Sequence, residues 1–130
     1  MRAGIFVVVE DFTAGDHADF LHVRIVDVVD GMLTAGLDGE LRYGTCAPAL
    51  ELLTDAIAHG ETRIVLDLSK LGFCDSAGLR LLVQLQERTT TAGGWLRLAG
   101  VSSWILQLLA ITRLDQEIPI YPSVEDACQS

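Results

Sequence analysis

Asp75 and Ser76 place a carboxylate and a hydroxyl side by side at the start of an amphipathic helical pattern. Both residue types satisfy the free N–H groups at a helix N-terminus, so either could act simply as the cap. The same position suits a second chemistry. A helix N-terminus carries roughly half a positive charge and several unpaired donors. A phosphate on Ser76 would find those donors already in place, and it would add close to two negative charges. Capping and phosphate acceptance are both open from the local sequence.

Other chemistry is poorly supported. A serine nucleophile needs a general base, usually histidine. His17, His22 and His59 fall in a loop, on a strand and at a helix end, each far in sequence from Ser76. Cys74 stands where a nucleophile elbow needs its first glycine, and no phosphate-binding glycine loop follows a strand. The three cysteines, Cys46, Cys74 and Cys128, show no C-x-x-C spacing, so no metal site is expected and they read as small buried hydrophobes. No cofactor is implied, and an enzyme is not expected.

The elements that must hold Ser76 are readable from periodicity. Leu21, Val23 and Ile25 alternate with His22 and Arg24 as in a strand, Asp30-Gly31 signals a hairpin, and a second strand is expected over 32–37, closed by a turn at Asp38-Gly39. Thr45 is the expected cap of a helix carrying Leu50, Leu53 and Ile57 on one face, with Pro48 in its first turn and Gly60 past its end. The near-continuous apolar run over 63–68 predicts a central strand covered on both faces. The helix over 76–91 shows a solvent stripe of Arg80, Gln84, Glu87, Arg88 and Thr91. A strand over 95–99, a helix capped by Ser102, a last strand over 118–121 and a helical turn from Ser123 complete the chain. Alternating strands and helices after residue 62 argue for an α/β fold, and the opening hairpin makes the sheet mixed. The expectation is one domain, with four to five strands packed with about four helices.

Residues 1–19 read as an N-terminal extension, either an edge strand at 5–9 or a tail, with a polar loop over 11–19; the domain proper is expected over 20–130. The run at 5–9 is too short for a signal peptide, and no stretch approaches a membrane span, so a cytoplasmic protein is expected. A net charge of −9 disfavours nucleic acid and anionic lipid as partners and favours a protein with a basic face.

Three segments together resemble the STAS domain: Gly39-Glu40-Leu41, then Val65-Leu66-Asp67-Leu68, then Phe73-Cys74-Asp75-Ser76-Ala77-Gly78-Leu79. The likeness is narrowest to bacterial anti-sigma-factor antagonists. It continues through Gly93-Gly94, Val101-Ser102, Leu109, Thr112 and Leu114 to Tyr121-Pro122-Ser123. The resemblance implies that Ser76 is the phosphoacceptor of an anti-sigma factor acting as a serine kinase. The unphosphorylated chain would bind that factor and free a sigma factor, and a serine phosphatase would reset the switch. Asp75, Gly78 and Leu79 would shape the docking loop. The alternative is a constitutive adaptor subunit of a signalling or transport assembly, without phosphorylation.

Two positions depart from the family pattern. Arg42 stands where an aspartate usually follows G-E-L, so it is either a partner contact of reversed charge or a solvated surface arginine. Arg113 stands where a glycine usually ends the third helix. That helix is also unusually apolar. Trp104 or Leu106 should reach the surface, as an interface for a partner or a second copy in a homodimer, unless the N-terminal extension covers them.

Overall fold

The computed structural model describes residues 11–15 and 20–129, with side chains from residue 20 onward. Seven strand segments and four helices follow in the order β1 (Asp11–Gly15), β2 (Phe20–Val29), β3 (Met32–Leu41), α1 (Tyr43–Ala58), β4 (Arg63–Asp67), β5 (Leu71–Cys74), α2 (Ser76–Thr91), β6 (Trp95–Ala99), α3 (Ser103–Ile111), a 3-10 turn (Leu114–Gln116), β7 (Ile120–Tyr121) and α4 (Val124–Gln129). The strands lie in the order β1-β2-β3-β4-β6-β7, with β5 beside β3 beyond the end of β4. Pairing is antiparallel from β1 to β3 and parallel from there on, which is the mixed sheet expected.

Strand alternation sorts the side chains. Leu21, Val23, Leu33, Ala35, Leu37, Ile64, Leu66, Leu96 and Leu98 turn to one face and bury against Leu53 of α1, Leu81, Leu82 and Leu85 of α2, and Ile105 and Leu109 of α3. The opposite face holds Val65 and Ala99, packed on Ala127 of α4. Val65 lies between Ile64 and Leu66 and all three are buried, as the continuous run predicts for a central strand.

Several boundaries differ from the sequence expectation, each for a local reason. Asp11–Gly15 forms an edge strand against β2 instead of a polar loop; residues 5–9 lie outside the described residues. Asp30 and Gly31 both have positive φ, as a tight hairpin requires. Asp38-Gly39 makes no turn. Gly39 sits inside β3 at φ +116, where the β3–β5 register shifts, and a Cβ there would lie 2.4 Å from the Phe20 carbonyl oxygen. The close approach, not a chain reversal, explains that glycine. α1 begins two residues before Thr45, which places Pro48 inside the helix. Ser102 holds the cap position of α3, but its hydroxyl makes no capping bond. Arg113 does end that region in a left-handed conformation, φ 65, at about 1 kcal/mol relative to glycine.

Candidate functional site at the paired helix starts

The site forms where β3 and β5 run out side by side and each feeds a helix. Glu40 pairs with Phe73 and Leu41 with Cys74, so Arg42 and Asp75 follow as neighbours. Arg42 is the N-cap residue of α1 and Asp75 that of α2. The Asp75 backbone N–H donates to the Leu41 carbonyl at 3.2 Å, which continues the strand pairing one residue further.

Asp75 settles the capping question. Its Oδ1 accepts the Gly78 N–H at 3.1 Å and its Oδ2 accepts the Tyr43 N–H at 3.3 Å. One carboxylate thus satisfies donors at the starts of both α1 and α2. Ser76 is the first residue of α2, is exposed, and its hydroxyl makes no hydrogen bond among the described residues. The hydroxyl is therefore free of any capping duty.

Arg42 lies on the same surface. Its Nε donates to Glu40 Oε1 at 3.0 Å, and its guanidinium lies 4.5 Å from the centre of the Phe73 ring. Thr45 braces the backbone beneath: its hydroxyl donates to the Glu40 carbonyl at 2.7 Å and accepts the Arg42 N–H at 3.1 Å. Thr45 serves α1 from inside the first turn and is not its cap residue. Tyr43 is 86% exposed and Phe73 37%; one follows the cap residue Arg42 and the other precedes Asp75 by two residues.

Gly78 and Leu79 lie below this surface. Gly78 is buried, and a Cβ there would come within 2.8 Å of both the Leu41 carbonyl oxygen and Cys74 Sγ. Leu79 is half-buried and packs on the main core. Gly78 lets α2 start close against β3. Cys46 and Cys74 underlie the site too. Burial, and secondarily the Asp75 charge, pushes the Cys46 thiol up to about 11 and the Cys74 thiol up to about 12. Both stay protonated and unreactive near neutral pH.

The structure brings Arg42, Asp75 and Ser76 together, whereas Trp104 and Leu106 lie on α3, each 39% exposed. Sequence reading missed Tyr43 and Phe73 as surface residues. Their signal was an aromatic directly after Arg42 and another two residues before Asp75. His59 follows the far end of α1, about 24 Å from its start, and His22 lies on β2 beside Asp38. Among the described residues no group of three or more acidic, histidine or cysteine side chains could hold a metal ion. No helix there is long and apolar enough to cross a membrane.

Known proteins share this fold. A Bordetella bronchiseptica protein named as an anti-sigma factor antagonist, BtrV, is 29% identical over 102 residues, covering 78% of this chain and 88% of the relative. The crystal structure of an anti-sigma factor antagonist from Mycobacterium paratuberculosis superposes with a TM-score of 0.70 at 28% identity, covering 83% of this chain and 91% of that one. The unphosphorylated form of the Bacillus antagonist SpoIIAA shares the fold, with a TM-score of 0.72 at 20% identity, over 82% of this chain and 92% of that one. The family model of the STAS domain matches residues 24–127, and the chain belongs to that family.

Proposed function

We propose that this chain is an anti-sigma factor antagonist switched by phosphorylation of Ser76. The observation that carries the reading is the division of labour at the start of α2. Asp75 caps the helix, so the Ser76 hydroxyl stands exposed and unengaged at its first position. A kinase can take that hydroxyl as nucleophile. Its oxygen attacks the γ-phosphorus of ATP, the bond to the β–γ bridging oxygen breaks, ADP leaves, and the hydroxyl proton passes to a base of the kinase. The product dianion sits at a helix N-terminus, where negative charge is favoured, so the fold tolerates it. A protein surface that docks through Arg42, Tyr43 and Phe73 would not.

In this reading the unphosphorylated chain binds an anti-sigma factor that is also its serine kinase, and the bound factor releases a sigma factor. A serine phosphatase restores the hydroxyl. The exchange takes place in the cytoplasm, and residues 20–130 are the domain that carries it. The two relatives named as antagonists at 28% and 29% identity support this reading over a general adaptor role.

The test is incubation of the chain with candidate anti-sigma kinases and ATP, followed by mass spectrometry of the peptide holding residue 76. Phosphate on Ser76, with loss of kinase binding, supports the switch. Tight binding without transfer supports a constitutive adaptor and would sink the phosphorylation reading.

A further inference from the structure

Arg42 is the cation that the strand register sets beside Asp75. Its Nε is committed to Glu40 Oε1 at 3.0 Å and its flat face lies over Phe73 at 4.5 Å, which together fix the plane of the guanidinium. Among the described residues its two terminal nitrogens have no hydrogen-bond partner. A planar fork with its outer donors free is the geometry that grips phosphate through two parallel bonds. Its acidic partner among the described residues, Glu40, is weak competition, because the Arg42 and Glu40 side chains are 34% and 33% exposed.

The strand register brings the fork to Ser76. Arg42 follows Leu41, Asp75 follows Cys74, and those two strand ends are paired in parallel. Adjacent strands lie about 4.8 Å apart and consecutive Cα atoms about 3.8 Å, so the Cα atoms of Arg42 and Ser76 are within about 9 Å. An extended arginine and a phosphoserine together span that gap. The Tyr43 N–H bond to Asp75 Oδ2 locks the two helix starts at this spacing.

We infer that Arg42 is the intramolecular receptor of phosphoserine 76, its guanidinium exchanging the part-exposed Glu40 carboxylate and the Phe73 ring for the phosphoryl oxygens. This rests on the reading of Ser76 as phosphoacceptor and adds a consequence. Phosphorylation does more than place charge on the docking surface: it also occupies the cation on that surface, so that a partner carboxylate can no longer use it. The switch then removes one attraction and adds one repulsion in a single event.

The charged residues nearest Ser76 by register and helix position are Arg42 and Arg80, which would favour a phosphate dianion, and Glu40 and Asp75, which would oppose it. Arg80 lies one turn along α2, four residues from Ser76, and is the internal comparison. Phosphoserine is installed at position 76 during translation, which makes the test independent of any kinase. The second ionisation of the phosphate is then followed by phosphorus NMR against pH. A nearby guanidinium favours the dianion and lowers that pKa. Arg42→Gln should raise it by about half a unit or more, Arg42→Lys should give a value between the two, and Arg80→Gln should move it less than Arg42→Gln. Equal values in the parent chain and Arg42→Gln, or an Arg80→Gln effect as large as that of Arg42→Gln, overturn the assignment. Should no kinase modify Ser76, the parent reading fails while this titration still reports on the receptor.

Discussion

Asp75 Oδ2 accepts the backbone N–H of Tyr43 at 3.3 Å, across a sequence separation of 32 residues. With Oδ1 on the Gly78 N–H, the carboxylate ties the first turns of α1 and α2 to each other. Losing an N-cap typically costs about 1 kcal/mol, and this side chain serves two helices. Asp75→Ala should therefore destabilise the fold by about 2 kcal/mol in urea unfolding. Asp75→Asn keeps one carbonyl acceptor and turns the other oxygen into a donor group, so it should fall between. A loss below about 0.5 kcal/mol for Asp75→Ala would mean that the double cap contributes nothing.

Ser76 is the opposite case. Exposed and without a capping bond, it should tolerate Ser76→Ala with a change of less than about 0.5 kcal/mol. Ser76→Asp should be equally mild, because the first turn of a helix favours negative charge. On partner binding the two variants should separate. Ser76→Ala keeps affinity and Ser76→Asp weakens it, as read by calorimetry with the cognate anti-sigma factor. Equal affinities would count against a charge-operated switch, and phosphorylated protein should be measured alongside because aspartate carries less charge than a phosphoryl group.

Gly78 should resist substitution for reasons of space. Alanine gains about 1 kcal/mol of intrinsic helix propensity over glycine. Its Cβ would nonetheless stand 2.8 Å from the Leu41 carbonyl oxygen, and backbone cannot rotate away as a side-chain tip can. Overpacking of this kind costs about 1–3 kcal/mol, so Gly78→Ala should be net destabilising and should displace the start of α2. A crosspeak shift for the Asp75 and Leu41 amides in NMR spectra would register the displacement; an unchanged melt and unchanged amides would show that the helix start is slack.

How much of this was open to sequence reading depends on whether the cause is local. The continuous run through Ile64, Val65 and Leu66 and the solvent stripe of Arg80, Gln84, Glu87 and Arg88 are written in neighbouring residues, and β4 and α2 follow them. Asp30-Gly31 and Asp38-Gly39 are the same dipeptide, yet one is a hairpin and the other lies inside β3. What separates them is the Phe20 carbonyl against Gly39, a contact between strands that no local pattern carries. The starts of α1 and α2 were obscured likewise. Thr45 looks like a cap by type, but its partners are the Glu40 carbonyl and the Arg42 N–H, which only the fold brings to it. Asp75 and Ser76 are both good caps by type, and only the fold shows the Asp75 carboxylate taking the Gly78 N–H of α2 together with the Tyr43 N–H of α1.

The thiols beneath the site set a pH limit. Cys46 and Cys74 ionise near 9 when free but only near 11 and 12 in the folded chain, because burial disfavours the thiolate and Asp75 adds repulsion. Below pH 9 both states hold the protons and the stability contribution is intact. Above it the unfolded chain releases protons that the folded chain keeps, so stability falls from pH 9 up through the folded values. The double variant Cys46→Ala, Cys74→Ala should flatten that decline in urea melts taken between pH 8.5 and 10.5. Parallel curves for parent and variant would show that both thiols ionise in the folded chain as they do in the unfolded one.

The last prediction concerns α3. Ile105 and Leu109 bury one side of the helix, and Trp104 and Leu106 remain 39% exposed while Ile111 is 77% exposed. A helix laid on a sheet can hide one face only, and here the second face is also apolar. Trp104 should therefore be open to iodide, whereas Trp95 is half-buried with the Arg97 guanidinium 3.7 Å from its ring centre. Trp95→Phe leaves Trp104 as the reporter, and strong quenching is expected at low protein concentration. Leu106→Glu should change stability by less than about 0.5 kcal/mol, because the side chain is not in the core. If the face is an interface between copies of the chain, sedimentation should show association that grows with concentration, quenching of Trp104 should fall in step, and Leu106→Glu should abolish both trends. A chain that stays monomeric with Trp104 shielded at every concentration would contradict the exposure of this face, and a monomer with Trp104 freely quenched would remove the homodimer while leaving the exposure intact.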